Sequence, residues 1–145
     1  MLKKTIFFIL FVSSIIPFTT LADAKYYRYS DDRQLFYSTD GKIFRYSDDR
    51  QLFYIKSNRL YRYHDDRQLY YIKSEKIHRY SDDRILFYFQ DGKIYRYSDD
   101  RQLFYIKDCK IYRYSDDRQI FYYDGDDSKL TIFMLITLFC PMVLG

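Results

Sequence analysis

The chain has 145 residues, a formal net charge of +4, two cysteines and 22% aromatic residues. That length holds one domain, the aromatic content excludes a disordered chain, and two cysteines exclude a framework of disulfides. The positive charge does not mark a nucleic-acid partner: twelve Arg and twelve Asp belong to a repeated core and cancel, and the remaining cations are scattered over loops with no basic stripe.

Residues 1–24 have the make-up of a secretory signal. Lys3 and Lys4 open it, Thr5 to Phe18 is the apolar stretch, and Ala22-Asp23-Ala24 offers a small-residue cleavage site with Lys25 as the expected first mature residue. The expected location is therefore exported: periplasmic, cell-surface or secreted. Export would also permit a disulfide between Cys109 and Cys140.

Residues 25–128 form the repeat domain. Arg recurs at 28, 45, 62, 79, 96 and 113, a spacing of 17 without insertion, and each time opens Arg-Tyr-Ser-Asp-Asp-Arg-Gln-Leu-Phe-Tyr or a near copy. So regular a period dictates the fold. All 19 Tyr and seven of the 13 Phe lie between Lys25 and Asp124, enough aromatic area to build a core.

Within one unit, Lys42 to Ser47 and Gln51 to Lys56 are two runs rich in aromatic and branched residues separated by Asp48-Asp49, which predicts a hairpin with the two aspartates as its loop. That register faces Phe44 with Phe53 and predicts a core face of Phe44, Tyr46, Phe53 and Ile55. The other face, Ile43, Arg45, Leu52 and Tyr54, is then partly solvated. An odd period needs an odd loop or a bulge, because side chains alternate faces with period two. The expectation places it in the variable loop, as a three-residue turn such as Ser57-Asn58-Arg59.

One hairpin is marginal in water, so six must pack together. The predicted fold class is all-β: about twelve antiparallel strands in tandem hairpins, arranged as a closed ring, flower or barrel-like array. Closure is favoured because an open meander leaves two sticky edges. A β-solenoid is the alternative; it would stack like charges in a ladder about 4.8 Å apart. The pattern Lys-Ile-Tyr-x-Tyr, a turn, then Leu-Phe-Tyr-Ile and Asp-Gly-Lys over residues 28–124 resembles the short hairpin repeats of four-fold β-flower proteins, with six copies here. The resemblance implies a small, non-catalytic β fold.

The chemistry-bearing residues point the same way. Paired aspartates sit where turns use Asp, flanked by Arg, so turn structure outweighs a calcium site. Six equivalent Arg suit a structural ladder. The exceptions to the repeat, His64, His78, Ile85 and Cys109, assemble no nucleophile, base and orienting group. No phosphate loop, Cys-x-x-Cys or His-x-x-His is present, so neither enzyme activity nor cofactor nor metal is expected.

The expected function is a non-catalytic structural or interaction scaffold of the cell envelope. A glycan- or cell-wall-binding module is the alternative, with Arg45, Tyr54, Arg62, Tyr71, Arg79, Tyr88, Arg96 and Tyr105 as ligand contacts on the repeat faces. The sequence does not name the partner; a glycan and an envelope protein are the candidates.

Residues 129–145 form an apolar tail. Leu130 to Leu144 is shorter than the roughly 20 residues of a spanning helix, and the sequence supports membrane association through 130–144. A frameshift is the competing origin: codons for Arg-Tyr-Ser read one base early after an A give Thr-Leu-Phe, as at Thr137-Leu138-Phe139.

Overall fold

The computed structural model describes residues 23–125 and 131–133; the segment 1–22, which holds most of the expected signal, and most of the tail lie outside the described residues. Twelve antiparallel strands follow one another as hairpins and close into a barrel. Six short strands lead the repeats: β1 (Ala24–Arg28), β3 (Lys42–Arg45), β5 (Arg59–Arg62), β7 (Lys76–Arg79), β9 (Lys93–Arg96) and β11 (Lys110–Arg113). Six longer ones complete them: β2 (Arg33–Thr39), β4 (Arg50–Lys56), β6 (Arg67–Lys73), β8 (Ile85–Gln90), β10 (Arg101–Lys107) and β12 (Arg118–Gly125). Every strand pairs with its chain neighbours, and β1 pairs with β12 from Ala24↔Gly125 to Arg28↔Phe121. The pairing is antiparallel throughout, so the chain is not a solenoid.

The turns differ from the expected ones, and the difference decides which side chains face inward. Arg45 pairs with Arg50, so Tyr46, Ser47, Asp48 and Asp49 make a four-residue loop where two residues were expected. The variable turn is the two-residue one: Lys56 pairs with Arg59 across Ser57-Asn58, both at positive φ (48° and 60°). That is a type I′ turn, whose twist matches the flanking strands. The odd residue of the period therefore sits in neither turn. It is a β-bulge in the long strand, where pairing jumps from Phe44↔Gln51 to Ile43↔Phe53 and leaves Leu52 between.

This shift of register inverts part of the expected core. Phe53 and Ile55 do pack on the core, but Ile43, expected to be partly solvated, is 1% exposed. Phe44 instead stacks on Tyr37 outside the barrel, and Tyr46 is 54% exposed. The bulge turns two consecutive apolar residues inward while Gln51 and Tyr54 both face out, which is how an odd period keeps one face in the core. Leu86, Leu103 and Ile120, at the bulge in other repeats, pack against that core. The bulged carbonyls stay bonded: Tyr63 N donates to Leu52 O at 2.9 Å, and at the seam Tyr29 N donates to Ile120 O at 3.0 Å.

A belt of Ile43, Leu60, Ile77, Ile94 and Ile111 lines the interior, with Tyr26 at the equivalent place in the first repeat. Three tail residues fill the space between opposite walls. Ile132 packs with Ile77, Phe87, Ile94, Phe104 and Ile111, whereas Phe133 packs with Ala24, Tyr26, Ile43 and Leu60. The Tyr26 hydroxyl shares a 3.3 Å hydrogen bond with Thr131 Oγ1. Within the stretch 130–144 expected to associate with a membrane, residues 131–133 pack in the barrel core. The remainder, 134–145, lies outside the described residues.

Candidate outer-wall grooves

All six loops between short and long strands stand on one rim; five have four residues and the one between β7 and β8 has five. In each, the first Asp is clamped by the Arg three residues before it: Arg45 Nε donates to Asp48 Oδ1 at 2.9 Å and Nη2 to Asp48 Oδ2 at 2.5 Å. The same fork recurs at Arg28, Arg62, Arg79, Arg96 and Arg113. These hydrogen bonds hold the carboxylates well below their ordinary range, with Asp82 and Asp99 at about 2. The amide two residues on also donates to this carboxylate, Arg50 N to Asp48 at 3.3 Å. The second Asp adopts the left-handed conformation, φ 53° at Asp49, which Asp tolerates better than most residues.

That second Asp is bonded by the preceding repeat. Tyr37 donates its hydroxyl to Asp49 at 3.1 Å, Tyr54 to Asp66 at 3.1 Å, and Tyr71 and Tyr105 make the same bond to Asp83 and Asp117. Tyr122 donates to Asp32 at 3.2 Å, carrying the pattern across the seam. The carboxylate pushes the Tyr105 hydroxyl up to about 12, with burial adding to the rise. The paired aspartates thus have partners within the protein.

Six stacked ring pairs cover the outer wall, one at each junction between repeats: Tyr37–Phe44, Tyr54–Tyr61, Tyr71–His78, Tyr88–Tyr95, Tyr105–Tyr112 and, at the seam, Tyr27–Tyr122. Their centroids are 4.6–5.0 Å apart. His78 occupies an aromatic slot, 4.6 Å from Tyr71 and tilted by 11°. His64, at the repeat's Ser position, is exposed with Nε2 3.7 Å from Asp65.

Above the stacked pairs, a wall tyrosine and the next repeat's loop bound a groove at two of the junctions. One is lined by Lys93, Gln102, Tyr105, Lys107, Tyr114 and Asp117, among others. A second, 68 residues earlier, is lined by Lys25, Gln34, Tyr37, Thr39, Tyr46 and Asp49. Four periods of 17 map these six positions of one onto the other, so both grooves are built from equivalent places in the repeat. Its outer lip is the first loop residue: Tyr29, Tyr46, Tyr63, Tyr80, Tyr97 and Tyr114 are 44–56% exposed. At one junction Tyr88 and Tyr97 meet edge to face, 6.4 Å apart at 89°, with Lys76 Nζ 5.9 Å from the Tyr97 centroid.

The eight residues expected as ligand contacts therefore separate. Tyr54, Tyr71, Tyr88 and Tyr105 lie in the stacked pairs of the outer wall, and Tyr105 lines a groove. Arg45, Arg62, Arg79 and Arg96 project from the opposite sheet face and are tied to Asp48, Asp65, Asp82 and Asp99. The groove residues not anticipated are the lip tyrosines, present in all six copies, and the glutamines, present in five.

Among the described residues no helix is long and apolar enough to cross a membrane. The strands have 4–8 residues, fewer than the roughly 9–11 of a strand that spans a bilayer. The fold is thus a closed twelve-stranded barrel of six hairpins bearing a repeated wall groove. No protein-family model, curated protein or solved structure matches the chain.

Proposed function

We propose that this chain is an exported, non-catalytic scaffold of the cell envelope that presents one groove six times around a closed ring. The observation that supports it is the recurrence of a groove at a 68-residue offset, lined at equivalent positions by Lys, Gln, Tyr, Tyr and Asp in both copies. A catalytic centre needs a unique, asymmetric set of groups, whereas repetition suits several weak contacts with a repetitive partner. The rim charges support the same reading, because Arg and Asp neutralise one another in pairs.

Fractionation of cells making the full chain tests this. The protein is expected in the envelope fraction, processed at its N-terminus. Ala24 N donates to Ser38 Oγ at 3.1 Å and Asp23 accepts from Asp40 N at 3.3 Å, which favours a mature start at Asp23 over Lys25. N-terminal sequencing distinguishes the two. An intact Met1 on exported protein, or a wholly intracellular chain, overturns the proposal.

A further inference from the structure

We infer that the wall grooves are binding sites for a neutral glycan, one sugar segment per groove. This deepens the scaffold reading and rests on it. Three features of the groove lead there.

The first is the aromatic corner. A wall tyrosine, held flat by stacking and by its hydroxyl bond to the next loop, lines the groove together with a half-exposed lip tyrosine, as Tyr105 does with Tyr114 and Tyr37 with Tyr46. The C–H face of a pyranose packs on such rings, and the half-exposed lip ring leaves that face free. Tyrosine loses little rotamer entropy on binding because its ring is set by two torsions.

The second is the polar complement. Gln102, Ser115, Lys93 and the Asp117 carboxylate converge on the same groove. Together they offer donors and acceptors in a mixture that suits vicinal hydroxyls, each of which both donates and accepts.

The third is the sign of the charge, which selects among glycans. In one groove Lys93 and Lys107 stand against Asp91 and Asp117; in the other Lys25 stands against Asp23, Asp49 and Asp124. An acidic polysaccharide would meet carboxylates with no surplus of cations. A neutral chain meets no such repulsion in either groove, one of which is balanced and the other net negative.

One repeat breaks the pattern and makes the inference quantitative. Gln34 and Gln102 line the two grooves, Gln51, Gln68 and Gln119 hold the equivalent positions of three further repeats, and Ile85 stands at that position in the sixth. At that junction Lys76 also lies over the lip ring of Tyr97. Five repeats are therefore competent and one is impaired.

The test uses the full exported chain on insoluble glucan, chitin and mannan, with polygalacturonate as the acidic control, and titration with the matching neutral hexasaccharide. Retention on at least one neutral polysaccharide and none on polygalacturonate is expected, with five equivalent sites per chain. Ile85→Gln is expected to raise the count to six. Replacing Tyr29, Tyr46, Tyr63, Tyr80, Tyr97 and Tyr114 together by Ala leaves the core untouched and is expected to weaken each site about three- to tenfold, abolishing multivalent retention. Near-ultraviolet circular dichroism confirms that this variant is folded.

No retention on any neutral polysaccharide, preference for polygalacturonate, or undiminished binding by the folded six-tyrosine variant overturns the glycan assignment. Envelope fractionation of the parent chain separates the two proposals: envelope association without glycan binding sinks the groove assignment alone. Glycan binding by a chain absent from the envelope sinks the scaffold reading.

Discussion

Phe133→Ala tests whether the tail belongs to the barrel in solution. Phe133 is 0% exposed and packs on Ala24, Tyr26, Ile43 and Leu60 inside a closed wall that cannot collapse onto the void. Removing a fully buried Phe side chain costs about 3–5 kcal/mol, a large share of the roughly 5–15 kcal/mol available to a domain of this size. At about 4–8 °C per kcal/mol for such a domain, Tm should fall on the order of 15–30 °C. Phe133→Leu keeps most of the volume and should cost below about 1.5 kcal/mol. The assay is thermal unfolding followed by near-ultraviolet circular dichroism of the tyrosines. If the Ala variant melts within about 2 °C of the parent, residues 131–133 do not fill the barrel interior and the packing argument is wrong.

Two further outcomes follow from the turns and the rim. Asp82 and Asp99, at about 2 in the fold, lie below the roughly 3.9 of an unfolded Asp, so their contribution is complete above about pH 4 and is lost as pH falls towards 2. At the alkaline end Tyr105, raised to about 12 from an unfolded value of about 10, contributes fully below pH 10 and loses this between about 10 and 12. Tm measured against pH should be a plateau with shoulders in those two windows; a Tm unchanged at pH 2 contradicts the clamp. Glu75 occupies a left-handed turn position, φ 59°, where Gly41 and Gly92 stand in other repeats. Glu75→Gly should stabilise by about 1 kcal/mol in denaturant titration, and a destabilised variant would show that the turn is not strained there.

The repeat, the number of strands and the hairpin succession are legible in the sequence because Arg28 and its five equivalents recur at one spacing and because Asp40-Gly41 and Asp91-Gly92 mark tight turns. Closure follows from the edge argument. The register does not, since Asp48-Asp49 fits a two-residue loop as well as the end of a four-residue one. Choosing the shorter loop moves Phe44 and Tyr46 to the wrong side. The corrective signal was Leu52-Phe53, two adjacent apolar residues in an otherwise alternating strand, which a bulge turns inward together. The wall positions of Tyr54 and its equivalents could be named beforehand. The lip at Tyr46 and its equivalents could not, because their exposure depends on that register. Insertion of the tail is a contact between segments about a hundred residues apart, and no local pattern encodes it.

Closure of the ring is the claim on which the six junctions, the repeated grooves and the filled interior all depend. Its direct measure is amide hydrogen exchange at the seam. Tyr29 N donates to Ile120 O at 3.0 Å across β1 and β12, as Tyr46, Tyr63, Tyr80, Tyr97 and Tyr114 donate at 2.9 Å to the bulged carbonyls of their preceding repeats. A closed barrel has no edge, so the Tyr29 amide should be protected as strongly as its five equivalents and exchange with them through one cooperative opening. Rapid exchange at Tyr29 and along β1 and β12, with the other five amides protected, would show an open meander and contradict the account.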